Sequence, residues 1–225
     1  MKVYKLVLAV IFCLSGFTYC HAEQQNDARI DNILNYWFGD LQTAEDYPYD
    51  KAKIWFSGGA DVDTEIRERF ENLLLEVANH KLDNWKKSPK GRLALIILVD
   101  QFSRNIYRGT PEAFTFDSIG CELTLEGIDL GADLHLLPIE RAFFYLPLEH
   151  SENLEIQKIS IAKFDALAAS APISLKSTFD SYANYAWNHY IIIEKFGRFP
   201  HRNVILGRES IQEEVDFLKG PNSSF

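Results

Sequence analysis

The side chains that could do chemistry fall into clusters rather than being spread evenly along the chain. Arginines bind carboxylates and phosphates through paired hydrogen bonds, and a histidine oriented by a carboxylate can transfer protons near neutral pH. Both residue types concentrate near the ends of predicted helices. The candidate ligand-binding residues are Asp100, Gln101, Arg104, Asn105, Arg108, Arg141, His189, Arg198, Arg202 and Asn203. The candidate acid–base residues are Glu149, His150 and His201.

The first of these clusters continues an apolar helix. Asp100, Arg104 and Arg108 follow one another at intervals of four residues, which places them along one face of a helix. Residues 93–99, directly before them, are all apolar, and a helix that is apolar on every side lies inside a protein. The polar residues that extend this helix must therefore face either a polar pocket or an internal network of hydrogen bonds.

Three functional hypotheses follow from these residues, and the sequence leaves all three open. In the first, arginines and histidines line a groove that binds an anionic small molecule or a peptide carboxylate. In the second, Glu149 together with His150 or His201 provides the acid and base of a hydrolase-like enzyme. In the third, the same groups form buried ion pairs that only hold helices together.

Composition and motifs argue against several other classes of protein. The chain carries a net charge of −9, which disfavours binding to nucleic acids and to anionic membrane surfaces. The sequence contains no HExxH or CxxC motif, no glycine-rich phosphate loop and no GxSxG elbow. We therefore expect no metal site, no cofactor and no serine nucleophile of the elbow type.

The first 22 residues have the pattern of a secretory signal peptide. Lys2 and Lys5 precede a short apolar run, and the small residue Ala22 marks the expected cleavage site. Residues 23–225 are then expected to form a single domain that is exported, either to the periplasm or out of the cell. Because Cys121 is the one cysteine left after cleavage, no internal disulfide can form.

Helical periodicity dominates the rest of the sequence, and no run alternates as a strand would. Ser88-Pro89 predicts the start of the buried helix, and Gly197 predicts the end of a long one. Pro147 is expected to end an aromatic helix, and Ser151 to cap the next. Short loops favour antiparallel neighbours, so we predict an all-α fold of helical hairpins around a buried central helix.

Four motifs together resemble one bacterial family. They are Trp37-Phe38-Gly39, Asp-Gln-Phe-x-Arg-Asn from Asp100, Phe-Phe-Tyr-Leu-Pro-x-Glu-His-Ser-Glu from Phe143, and Phe-Gly-Arg-Phe-Pro-His-Arg-Asn from Phe196. Over roughly residues 28–218 the chain is similar to the bacterial domain-of-unknown-function family 924. This resemblance implies an all-helical, tetratricopeptide-like fold. It implies no particular reaction, because the function of the family is unknown.

The resemblance also implies that the thirteen polar candidates named above occupy matched positions of the family. The chain departs from the family at Ser103, where relatives usually have proline, so the helix is expected to continue without a kink. The export signal is a second departure, because most relatives begin near the first helix.

Overall fold

The computed structural model describes residues 27–221 and residue 223, and this part of the chain is helical, without a strand. The all-α prediction is confirmed, whereas the predicted signal peptide lies outside the described residues. The α-helices are α1 (Ala28–Phe38), α2 (Tyr49–Ser57), α3 (Ala60–Ala78), α4 (Pro89–Ile96), α5 (Ser103–Ile106), α6 (Asp117–Asp129), α7 (Pro138–Glu149), α8 (Leu154–Ala169), α9 (Lys176–Phe196) and α10 (Gln212–Phe217). Short 3₁₀ turns, among them Pro111–Phe114 and Pro200–Arg202, join several of these helices.

The buried central helix is formed by α4 and its continuation. Ser88 caps α4 by accepting the N–H of Gly91, as predicted. Leu93, Ile96 and Leu98 have no exposed surface. Because α4 packs against α1, α6 and α7, the apolar run meets neighbours on several sides and supports the core of the protein.

The winding of this central helix changes where its polar residues begin. Ile97–Phe102 forms a π-helical segment, in which the N–H of Ser103 donates to the carbonyl of Leu98, five residues earlier. The helical run continues through Ser103, which begins α5, after the π-helical segment has ended at Phe102. Arg104 nevertheless remains in contact with Asp100, four residues earlier, at 3.4 Å between Nη1 and Oδ1. Such π-helical turns are rare and occur frequently at functional sites.

Helix α7 extends further than the sequence predicts. The prediction that Pro147 ends the helix is wrong, because α7 runs through this proline to Glu149. Proline inside a helix costs about 3 kcal/mol, since it removes a hydrogen bond and crowds the preceding turn. Leu148 is fully buried, and the packing of such a side chain offsets much of that cost. The extension makes Glu149 the last residue of α7 and His150 its C-cap.

Helices α7, α8 and α9 pack as consecutive neighbours, and their short connections make them antiparallel hairpins. Asn153, not Ser151, caps α8 by accepting the backbone N–H groups of Glu155 and Ile156, so that prediction is wrong. Gly197 ends α9 in a left-handed conformation with φ of 69°, as predicted. The tetratricopeptide-like comparison stays a prediction. Within the described residues, none of the helices combines the length and apolar character needed to cross a bilayer.

Candidate functional site

A cavity of about 740 Å³ lies between α7, α9, the α2 region and the central helix. This volume is in the range typical of sites for small molecules. Five polar residues that line it, here called the polar cluster, are Gln101, Arg104, Glu149, His150 and His189. Five aromatic residues that line it, here called the aromatic wall, are Tyr47, Trp55, Phe143, Tyr182 and Tyr185.

The aromatic wall is held together by ring contacts. The ring centroids of Trp55 and Phe143 are 4.6 Å apart, and those of Tyr47 and Trp55 are 6.0 Å apart. The hydroxyls of Tyr47 and Tyr182 lie 3.4 Å from each other, which joins the α2 region to α9. These contacts join Tyr47, Trp55, Phe143 and Tyr182 into one largely apolar surface of the cavity.

Asp100, in the π-helical segment, orients two residues of the polar cluster. Its side chain, 1% exposed, accepts a hydrogen bond from Nε2 of Gln101 at 2.6 Å, and its Oδ1 lies 2.7 Å from Nδ1 of His150. Burial raises the pKa of Asp100, but His150 and Arg104 outweigh burial and hold this pKa well below its usual value. Asp100 is therefore ionised and accepts the Nδ1 proton, which leaves the lone pair of His150 on Nε2.

Arg104 links the central helix to α6. Its Nη1 lies 2.9 Å from the backbone oxygen of Asp100, 3.4 Å from Oδ1 of Asp100 and 2.9 Å from Oδ1 of Asp117. Its Nη2 is buried and has no hydrogen-bond partner among the residues that the structure describes. A buried N–H group without an acceptor is unfavourable, and an acceptor bound in the cavity would satisfy it.

Arg202 lies beside the polar cluster without lining the cavity. Its Nη1 is 3.4 Å from Oδ2 of Asp117, so one carboxylate bridges Arg104 and Arg202. The guanidinium of Arg202 also sits over the rings of Phe114 and Phe199, at 4.8 Å and 4.4 Å from their centroids. Burial, together with the charge of Arg104, lowers the pKa of Arg202 to about 10. Arg202 therefore contacts the carboxylate that positions Arg104 but does not itself face the cavity.

Glu149 and His189 meet as two uncharged groups. Burial and the charge of Asp100 raise the pKa of Glu149 to about 8, whereas burial and His150 lower the pKa of His189 to about 3. Nδ1 of His189 lies 3.1 Å from Oε1 of Glu149 and 2.8 Å from the carbonyl oxygen of Tyr185. The carbonyl oxygen of Tyr185 accepts the Nδ1 proton of His189, and the carboxyl oxygen of Glu149 that faces away from this contact is Oε2. That oxygen is buried and has no hydrogen-bond partner in the described part of the chain.

Three ligand-binding candidates lie away from the cavity, which corrects their predicted position. Asn105 and Arg108 both donate to the carboxylate of Asp63 on α3. Helix α5 ends at Ile106, so Arg108 lies beyond the helix that carries Arg104. Arg141 donates to the hydroxyl of Tyr145, one turn further along α7. The contacts of Asn105 and Arg108 join the end of α5 to α3, that of Arg141 lies within α7, and none of the three residues lines the cavity.

The C-terminal candidates are likewise placed differently from the prediction. Arg198 and Asn203 both donate to the carboxylate of Glu214 on α10, which fixes the last helix against the end of α9. His201 packs its ring 5.6 Å from that of Phe199 and does not line the cavity. Burial, followed by the charge of Arg202, lowers the pKa of His201 to about 4. Arg198, His201 and Asn203 are therefore close to arginines in sequence but do not line the cavity.

Other residues of the site are not indicated by the polar motifs. Asp117, which bridges the two arginines, is an isolated acid at the start of α6 and carries no distinguishing signal. Trp55 fits the pattern of an ordinary core residue, yet it lines the cavity. Three hydroxyl-bearing residues at the start of α9 also line the cavity, namely Ser177, Thr178 and Ser181. Across residues 27–221 and 223, no group of three or more histidine, cysteine or acidic side chains is arranged to hold a metal ion.

The fold and the site together define an all-α protein whose helical hairpins enclose a cavity with an aromatic wall and a polar cluster. The chain belongs to the family described as bacterial protein of unknown function (DUF924), whose model matches residues 33–222. The resemblance predicted from the motifs is thereby confirmed. No curated protein matches the chain.

A solved structure with the same overall fold comes from Agrobacterium tumefaciens and is described as a protein of unknown function. The two chains are 31% identical and superpose with a TM-score of 0.73. The similarity covers 86% of the present chain and 98% of the other. It supports the helical architecture and the family membership.

Proposed function

We propose that the protein binds a small organic acid in the cavity, with the carboxylate at Arg104 and the body of the molecule against the aromatic wall. The observation that carries this proposal is Nη2 of Arg104. It is a buried cationic N–H group that has no acceptor among the described residues, and Arg104 lines the cavity. A carboxylate supplies the missing acceptor, and such a charge-assisted hydrogen bond contributes about 1.5–3 kcal/mol.

The charges around Arg104 favour an anionic ligand over a cationic one. Glu149 is a neutral acid at pH 7, so its Oε2–H can donate a second hydrogen bond to a bound carboxylate. The ion pairs of Arg104 and Arg202 offset the charges of Asp100 and Asp117. No excess of negative charge therefore remains to repel an anion.

The aromatic wall favours a ligand with a flat or apolar body. Aromatic rings attract other rings in tilted and offset arrangements and exclude water from the surfaces they cover. Trp55 and Phe143 already pack in this manner, with an interplanar angle of 63°. Aryl carboxylates such as phenylacetate and phenylpyruvate combine such a body with one carboxylate, and they are suitable probes.

The first test replaces Arg104 by lysine and measures the binding of these aryl carboxylates by calorimetry. Arg104→Lys keeps the positive charge but removes the paired N–H groups of the guanidinium. We expect binding to weaken about 10- to 100-fold, which is the loss of one charge-assisted hydrogen bond. Phenylacetamide, which lacks the negative charge, should bind the wild-type protein more weakly than phenylacetate.

Arg108→Lys provides the matched control for this test. Arg108 lies in the turn that follows α5, and its side chain is 55% exposed and pairs with Asp63 outside the cavity. We expect this variant to bind the probes as the wild-type protein does. Equal affinities of the wild-type and Arg104→Lys proteins would contradict the proposed function.

We further infer that the chain is exported after cleavage behind Ala22, because two lysines and an apolar run precede that residue. Expression of the full-length chain in a Gram-negative bacterium should yield a mature protein in the periplasmic or secreted fraction. Mass spectrometry of its N-terminus should identify Glu23 as the first residue. A version that begins at Glu23 should stay inside the cell. Full-length chain retained with the cytosolic fraction would refute export.

A further inference from the structure

His150 has the arrangement of a general base. Nδ1 of His150 lies 2.7 Å from Oδ1 of Asp100. Nε2 of His150 has no hydrogen-bond partner among the residues that the structure describes. The side chain is 16% exposed and lines the cavity. Burial lowers the pKa of His150, so the ring is neutral at pH 7 and its Nε2 can accept a proton. A neutral imidazole oriented by a carboxylate is the commonest general base in proteins.

Glu149 has the complementary arrangement of a proton donor. Its side chain is buried, and its Oε2 is without a hydrogen-bond partner in the described part of the chain. The other oxygen, Oε1, lies 3.1 Å from Nδ1 of His189. A carboxylic acid that is kept neutral by its surroundings can donate a hydrogen bond to an oxygen on which negative charge develops.

These two groups lie at the same part of the cavity as the proposed carboxylate site. His189 links them, because its ring centroid lies 6.2 Å from that of His150 and its Nδ1 contacts Glu149. Asp100 links His150 to Arg104, which lies 3.4 Å from the same carboxylate oxygen. Arg104, His150 and Glu149 therefore line one cavity, with the base and the acid close to the proposed carboxylate site.

We propose that the protein catalyses reversible proton transfer at the carbon next to the keto group of a bound 2-oxo acid, with His150 as the base and Glu149 as the proton donor. The inference rests on the proposed binding of an organic acid. Nε2 of His150 takes the proton from carbon, and the electron pair of that C–H bond forms a C=C bond. The π electron pair of the carbonyl moves to oxygen, which takes the proton from Oε2 of Glu149.

The return step restores every group to its starting state. The imidazolium of His150 delivers a proton to carbon, and the enol oxygen returns its proton to Glu149. The reaction is balanced without an oxidant, a reductant or a second substrate. When the proton on His150 exchanges with solvent before it returns, the carbon acquires a solvent hydrogen.

Proton transfer at carbon fits the site better than hydrolysis does. Hydrolysis through a covalent intermediate needs a nucleophile bonded to the base. Ser177, Thr178 and Ser181 line the cavity, but within the described residues none of their hydroxyls is hydrogen-bonded to His150. The aromatic wall also supplies apolar surface to the cavity, and a hydrogen bond from Glu149 to a developing enolate oxygen is stronger in such low-polarity surroundings.

The pH dependence of the reaction is set by the groups that face this pair. Around His150 they are Asp100, Arg104, His189, His201 and Arg202, and around Glu149 they are Asp100, His189 and Tyr182. The rate should rise with pH as His150 loses its proton, at a pH below the ordinary histidine value of 6.5. It should fall above about pH 8, as Glu149 ionises and can no longer donate.

The test measures the exchange of the C3 hydrogens of phenylpyruvate in D₂O by proton NMR, with and without the full-length wild-type protein. Catalysed exchange is expected, with the rise and fall in pH described above. His150→Gln and Glu149→Gln should each lower the catalysed rate at least 100-fold, the usual contribution of a general acid or base. Arg108→Lys should exchange at the wild-type rate, because this residue lies outside the cavity.

Calorimetry with phenylpyruvate on the same proteins separates this inference from the proposed function. If the wild-type protein binds phenylpyruvate and other 2-oxo acids but exchanges none of their hydrogens, the catalytic inference is overturned and the binding proposal stands. If none of the organic acids binds, both are overturned. Exchange that persists in both glutamine variants, with folding verified by circular dichroism, would also overturn the assignment of His150 and Glu149.

Discussion

Asp100→Ala is expected to lower the free energy of unfolding by about 3–5 kcal/mol, as removal of one partner of a buried ion pair commonly does. Asp100 is 1% exposed and is in contact with His150, Arg104 and Gln101. Without it, the Nδ1–H of His150 loses its acceptor and Arg104 loses one of two balancing carboxylates. Both groups are only partly accessible to solvent, so water replaces the lost contacts incompletely.

Chemical denaturation monitored by circular dichroism at pH 7 measures this loss. For a domain of this size, a loss of 3–5 kcal/mol corresponds to a decrease in melting temperature of roughly 6–20 °C. Asp129→Ala is the control, because Asp129 is exposed at the end of α6 and should change stability by no more than about 0.5 kcal/mol. Equal stabilities of the two variants would show that Asp100 does not support the fold.

Glu149→Gln is expected to make the protein more stable than the wild type at alkaline pH. The pKa of Glu149 is about 8 in the folded protein, above the ordinary value of 4.5. Between these values the folded state keeps the proton and the unfolded state releases it. The wild-type protein therefore loses stability as the pH rises from about 4.5 to about 8. Glutamine has nearly the same shape and carries no charge. The free energy of unfolding of the variant therefore does not fall in this way as the pH rises.

The difference in stability between the variant and the wild type should grow by on the order of 4 kcal/mol across that pH range. His189, whose pKa is lowered to about 3, stabilises the folded protein increasingly as the pH rises towards 6.5. This effect is shared by the wild-type and variant proteins, so it cancels to first order when their unfolding free energies are subtracted. Urea denaturation at half-unit steps from pH 4 to pH 9 provides the comparison.

Glu122→Gln is the control for the alkaline stabilisation, because Glu122 is exposed on α6. Its unfolding free energy should follow that of the wild-type protein at every pH. Curves for Glu149→Gln that run parallel to the wild type would mean that Glu149 is ionised in the folded state at neutral pH. That result would also remove the proton donor from the proposed catalytic pair.

Local sequence rules predicted much of the secondary structure, and their failures have physical causes. Ser88 and Gly197 act as the predicted helix boundaries, because capping depends on a few neighbouring atoms. Pro147 does not end α7, because the burial of Leu148 by distant helices offsets the cost of a proline. The π-helical segment at Ile97–Phe102 likewise has no signature in residue spacing alone.

The candidate site was predicted in part. The polar motifs contained Gln101, Arg104, Glu149, His150 and His189, all of which line one cavity. The same motifs also contained arginines whose partners could not be identified in advance. Arg108 pairs with Asp63, which lies far earlier in the chain, and Arg198 pairs with Glu214. A lone carboxylate carries no sequence signal until the fold places it beside a cation.

The sequence by itself determined the helical class, the buried central helix and the residue types available for chemistry, because apolar periodicity and side-chain chemistry are local properties. The tertiary structure alone decided which charges are neutralised and which remain available to a ligand. Arg104 and Arg108 differ little as sequence positions. The first ends in a buried N–H group at a cavity, whereas the second is exposed and is held by the carboxylate of Asp63. The difference arises from burial and from partners distant in sequence, which exist only once the helices have packed.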